Sequence, residues 1–168
     1  ILMALSIGMA PIIGQNWGAK SFDRVNQTIR YAISFCIGWS TLVAAILVVF
    51  AEPLAMSFVQ KDEQSNGVAF YNYLVLYFTI VPLSYIFANI SHGWGSAFNA
   101  IGKPQFAAML LFIKMIVLMI PAAYIGAYFG GAEGIFISTA IVNALSGISI
   151  HLWSRHQFGR NHLLNNTA

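Results

Sequence analysis

Residues Pro11–Arg30 read "PIIGQNWGAKSFDRVNQTIR". This island holds Lys20, Arg24 and Arg30 against a single acid, Asp23. An almost wholly apolar run, "ILMALSIGMA", precedes it, and another, "YAISFCIGWSTLVAAILVVF", follows it. A short charged island between two such runs marks a chain that leaves a bilayer and re-enters it.

Composition agrees. The chain has 168 residues, 58% hydrophobic and 14% aromatic, with a mean hydropathy of +0.72 and only 8% charged residues. A soluble domain carries about 25% charged residues, because its surface must face water. A third of that charge leaves most of the surface for lipid. The net charge of +3 is no sign of nucleic acid, since the basic residues fall in short islands between apolar runs and form no patch with interleaved aromatics. Cys36 stands alone inside an apolar run, so there is neither a disulfide framework nor a metal cluster to read. The opening run carries no basic leader and is too short to span a bilayer, which takes roughly 20 residues. It reads as the end of a helix that begins outside this chain, and the chain as a C-terminal piece of a longer protein.

The fold expected is all-α: a partial span over 1–13, then full spans over 26–50, 68–97, 105–129 and 134–153, with a tail over 154–168. Helices satisfy their own backbone groups, which lipid cannot do. Strands of a membrane barrel would alternate polar and apolar residues over about ten positions, and these runs do not. Between the second and third spans, a Glu52-Pro53 turn precedes an interfacial stretch, "LAMSFV", and the polar loop "QKDEQSNG". Basic residues set the orientation. Lys20, Arg24, Arg30, Lys103, Arg155 and Arg160 lie at one end of the spans, and only Lys61, beside Glu52, Asp62, Glu63 and Glu133, at the other. The positive-inside rule places the first end, with the C-terminus, in the cytoplasm.

The details of the island carry a resemblance. "GQNWGAKSFDR", through Gly14, Gln15, Gly18, Ala19 and Arg24, resembles a signature in the C-terminal half of the multidrug and toxic compound extrusion (MATE) transporters. "FNAIGKPQ", with Gly102 and Pro104, is similar to that family's tight loop before its penultimate helix. "PAAYIGAYFGGAEGIFISTAI" resembles its last hairpin. The three occur in the family's order over nearly the whole chain. The resemblance implies two pseudo-symmetric bundles of six helices, of which this chain would be the last five, the first incomplete. It also implies an antiporter of the cell membrane, with no enzymatic activity and no cofactor. In such an antiporter, inward protons or sodium drive out cationic or amphipathic organic compounds. Its partners would be the N-terminal half of the same transporter, small organic cations and the lipid bilayer.

Several residues invite chemistry. Tyr85, Asn89, His92, Ser96 and Asn99 recur at helical spacing and form one stripe on the third span. In lipid, such a stripe faces other helices or a water-filled cavity. It is either interhelical hydrogen bonding or a wall of a substrate path, with His92 a candidate proton relay. Thr139, Asn143 and Ser146 form a shorter stripe beside Ala140, Ala144 and Gly147; small residues at that spacing suit close helix packing, with Asn143 also a candidate for the substrate path. Ser34, Gly38, Thr41 and Ala45 read the same way. Pro82 and Pro121 each remove a backbone hydrogen bond within a span and are expected to kink it. Lys114 lies about ten residues into its span, too deep to leave the hydrocarbon without snorkelling. It is expected to face the bundle interior, for gating or substrate-cavity electrostatics or for a structural hydrogen bond to carbonyls, with snorkelling the remaining alternative. The resemblance raises its standing further, because a basic residue recurs in that family at the place equivalent to "LLFIKMIVLMIP". No Asp or Glu lies in any span, although some branches of that family use one in this half for ion coupling.

Other classes are weaker. A lipid-linked oligosaccharide flippase shares the bundle design but lines its cavity with several basic residues, where these spans hold one. A zinc enzyme built on His92, His151, His156 or His162 lacks ligands in defined proximity. A membrane scaffold remains the third alternative.

Overall fold

The computed structural model describes residues 2–59 and 66–165, and every element in them is helical. The loop residues Lys61, Asp62 and Glu63, the side chains of Arg160 and His162, and the end of the tail lie outside the described residues. Helix α1 is Leu2–Gly18, α2 Phe22–Val49, α3 Ala51–Phe58, α4 Asn66–Ala100 and α5 Pro104–Phe112. A π-helical segment, Ile113–Met119, joins α5 to α6, Ile120–Asn165.

Among the described residues, three helices are long and apolar enough to cross a membrane: Phe22–Val49, Gly67–Ala100 and Pro104–Phe158. The last is two crossings. Phe106 and Trp153 touch, with ring centroids 5.8 Å apart, whereas 47 residues of straight helix would separate them by about 70 Å. The reversal falls at Gly130 (φ −139°, ψ 16°) and Gly131 (φ 54°, ψ −135°). The positive φ of Gly131 is costly for a residue with a Cβ. The two arms then close until the backbones of Gly126 and Gly134 touch, so that a Cβ on either would overlap the carbonyl of the other.

The island Pro11–Arg30 is mostly helix. Its turn is only three residues, Ala19 to Ser21, and its hydrogen bonds form a Schellman cap. Ser21 N–H donates to the Asn16 carbonyl (2.8 Å) and Lys20 N–H to that of Trp17 (3.0 Å). The loop after α4 repeats this, with Lys103 N–H to Phe98 (2.9 Å) and Gly102 N–H to Asn99 (3.1 Å). The left-handed position belongs to Lys20 (φ 56°) in the first and Gly102 (φ 72°) in the second. Pro104 then starts α5 at its first turn, where no N–H is required. The last helix continues past Trp153 to Asn165, so residues 154–165 are helical where a tail was expected.

The core lies at the basic end. Met9 and Ile13 of α1, Val25, Ile29 and Ile33 of α2, Trp94 and Phe98 of α4, and Phe158 of α6 form one buried cluster. Rings bind it together: Phe98 meets Phe106, Trp153 and Phe158 at 5.4–5.7 Å. Gly14 lets α1 approach α4, since a Cβ there would stand 3.1 Å from the Ala100 carbonyl oxygen.

Helix α2 packs through Ile29, Ala32, Ile33, Cys36, Ser40 and Ala44. The stripe Ser34, Gly38, Thr41 and Ala45 is exposed instead, and nothing lies within 4 Å of a Cβ built on Gly38. Its small residues therefore do not pack against the described helices. The face toward α4 is the more apolar one beside it.

Candidate functional site

Lys114 is the one buried residue in the whole crossing from 104 to 129, at 7% exposure. Its neighbours in the π segment, Ile113, Met115, Ile116, Val117 and Leu118, are all exposed. This inverts the soluble pattern, where lysine stays out unless paired. The helical stripe explains it. Phe106, Ala107 and Leu110 pack against the core cluster, and a further turn along the same face arrives at Lys114. No carboxylate partners its ammonium among the described residues. A lysine at mid-bilayer costs at least about 2.5–3.5 kcal/mol, so the site is retained against a penalty.

The backbone around it is also unusual. π-helix is rare and concentrates at functional sites. Pro121 supplies a local cause. It has no N–H for the Val117 carbonyl four residues earlier, and its ring crowds that carbonyl. Widening the preceding turns relieves the clash, and the widened turns include Lys114. At Pro82, by contrast, α4 runs through as α-helix. The π segment was not readable from sequence; the spacing from Lys114 to Pro121 was its only signal.

The α4 stripe divides. Asn89 Nδ2 donates to Ser40 Oγ of α2 (2.9 Å), and Ser96 Oγ donates to the Ser6 carbonyl of α1 (2.9 Å). Tyr85, His92 and Asn99, spaced seven apart, stay exposed. His92 lies within electrostatic reach of Lys114, and the hydroxyls of Tyr85 and Tyr77 are hydrogen-bonded. The structure thus brings His92 to Lys114, leaves Tyr85 exposed with Tyr77 as its partner, and withdraws Asn89 and Ser96 into helix contacts.

Asn143 is withdrawn too. It is 4% exposed, and its Nδ2 donates to Ser84 Oγ of α4 at 3.0 Å. Ser146 Oγ donates to the Asn143 carbonyl (3.2 Å). One turn from Asn143, a Cβ on Gly147 would stand 2.6 Å from the Phe87 carbonyl oxygen. Here α4 and the second arm of α6 approach closely. Among the motif residues, Gly14 serves the α1–α4 contact and Gly18, Ala19 and Gly102 belong to the two caps, while Gln15 and Arg24 are exposed. One feature escaped sequence reading: Trp94 Nε1 donates to His151 Nδ1 (3.1 Å), deep in the aromatic cluster.

Known proteins share this fold. The MatE family model matches residues 1–125. The FAD transporter of Shewanella oneidensis is 30% identical over 151 residues, 90% of this chain and 32% of that protein. The MATE transporter VcmN of Vibrio cholerae, in its bent form, superposes with a TM-score of 0.85 at 29% identity, covering 96% of this chain and 36% of its own. A MOP superfamily transporter from Pyrococcus furiosus shares the fold, with a TM-score of 0.84 at 18% identity, over 94% of this chain and 35% of its own. The chain spans about a third of the length of these relatives. It belongs to the MatE family, whose members are membrane transporters and not enzymes.

Proposed function

We propose that this chain forms one wall of a secondary-active transporter in the cell membrane, with its basic end in the cytoplasm, and that Lys114 meets an anionic group of the transported organic solute. The burial of Lys114, alone in its crossing and without a carboxylate partner among the described residues, carries this reading. A cation desolvated among helices attracts opposite charge far more strongly than one in water. His92 adds a hydrogen-bonding ring beside it, and Tyr85, two turns along the same stripe, an exposed aromatic face. The Shewanella relative is named for FAD, a solute that carries a pyrophosphate. Export driven by inward protons or sodium would follow the alternating movement of two bundles around such a site.

The exposed ring of Tyr85 favours a second reading, in which cationic or amphipathic compounds are exported, since tyrosine faces hold cations. A carboxylate in the remainder of the transporter would then be required. One experiment separates the readings. The full-length transporter is reconstituted in liposomes under a proton or sodium gradient and offered FAD, a cationic dye or a fluorescent lipid. Gradient-dependent FAD movement supports the anionic reading. Dye movement alone would replace it with the second, and lipid movement alone would make the protein a flippase.

A further inference from the structure

At the basic end, and not lined by Lys114, a cleft of about 920 Å³ opens between α2 and the second arm of α6. Gln27, Arg30 and Tyr31 line it from α2, His151 and Arg155 from α6, and Trp94 of α4 closes its floor. We propose that this cleft binds the phosphate headgroup of an anionic phospholipid from the leaflet on the basic side.

Two guanidinium groups from different helices reach one cleft. Planar arginine forks suit phosphate oxygens better than a point charge does. His151 is a third, prepared donor. Its Nδ1 accepts from Trp94 Nε1 (3.1 Å), which leaves the ring proton on Nε2. Trp94 is itself only 3% exposed and holds the imidazole edge-on, with centroids 5.8 Å apart. Arg155 lies within electrostatic reach of His151. Asp23 also lines the cleft, two turns before Arg30, and against the two arginines it leaves a net positive charge.

Position identifies the occupant as a lipid. The apolar run of α2 begins at Tyr31, just after Arg30, and the apolar run of α6 ends just before Arg155. The charges therefore sit at headgroup level, where basic clefts between helices take anionic lipids. Toward the bilayer centre the cleft continues over Ile37, 39% exposed, and the exposed Ile148 and Leu152 precede Arg155 on α6. Acyl chains cover such a flank, and a water-soluble phosphate would leave it bare.

The test uses the full-length transporter, purified and titrated with phosphatidylglycerol or phosphatidylcholine, with bound lipid counted by native mass spectrometry. Wild type should hold phosphatidylglycerol about tenfold more tightly than phosphatidylcholine, as one or two charge-assisted contacts imply. Arg30→Gln with Arg155→Gln should abolish that preference. Gln27→Glu, at an exposed position on α2, should weaken it by placing a carboxylate in the cleft. Inorganic phosphate at millimolar concentration should not displace the lipid. Equal binding of the two lipids by wild type, an unchanged preference in Gln27→Glu, or displacement by inorganic phosphate would overturn the proposal.

Discussion

Asn89 on α4 donates through Nδ2 to Ser40 Oγ on α2 at 2.9 Å, while His92, one turn along the same stripe, remains uncovered beside Lys114. Neighbouring polar residues of one stripe therefore hold different tasks. Asn89→Ala should lower thermal stability slightly, by about 0.6 kcal/mol as interhelical hydrogen bonds average, and leave transport per folded molecule intact. His92→Ala should do the opposite. Melting curves and proteoliposome rates on the same preparations check both.

Helix approach makes a second prediction. Gly147→Ala would press a methyl group to 2.6 Å from the Phe87 carbonyl oxygen, a contact that only a helix shift can relieve. Overpacking of this kind costs about 1–3 kcal/mol. Gly38→Ala places its methyl group in open space and should change stability by no more than about 0.5 kcal/mol. Equal melting temperatures for the two variants would count against the α4–α6 contact described here.

The two caps supply a third. Gly102 has φ 72° and Lys20 φ 56°, and a side chain in that region costs roughly 1–2 kcal/mol. Gly102→Val should destabilise by at least that much. Lys20→Gly should be neutral or stabilising, because it relieves the strain Lys20 already bears. Denaturation of the purified transporter measures both.

Much of this was legible in the sequence. The crossings follow from runs too long and apolar for anything but lipid, and the reversal at Gly130 and Gly131 falls between the expected spans 105–129 and 134–153. Lys114 was expected inside because nothing on its own helix could carry it out. Other features required coordinates. The stripe over 85–99 is a single face by periodicity. Whether Asn89 bonds α2 or lines a cavity depends on where α1 and α2 dock, which spacing along one helix does not encode. The small stripe of α2 misled for the same reason: residues that permit close approach do not compel it. The expected spans left residues 14–25 between them, yet the hydrogen bonds of a Schellman cap shorten that connection to three residues, Ala19 to Ser21.

Orientation gives a fourth prediction. With Cys36 replaced, single cysteines at Ser21 and Ser57 are probed on intact cells with an impermeant thiol reagent. Ser57 is exposed at the end of α3, and Ser21 lies in the basic-end turn. Only the Ser57 variant should label, because the basic bias holds the other end in the cytoplasm. The reverse pattern would invert the orientation proposed here.

Lys114 offers the most direct test. Lys114→Met keeps the length and removes the charge, and Lys114→Arg keeps the charge. Initial rates of gradient-driven FAD uptake are measured for the full-length transporter and both variants in proteoliposomes, with melting temperatures taken in parallel. A lysine held for its charge predicts that Met lowers uptake by about tenfold or more, the worth of one charge-assisted contact, and that Arg retains part of it. The melting temperature of Lys114→Met should stay level or rise, since a buried charge costs at least about 2.5–3.5 kcal/mol in a bilayer. If Lys114→Met transports as wild type does, Lys114 does not meet the solute and the central claim fails.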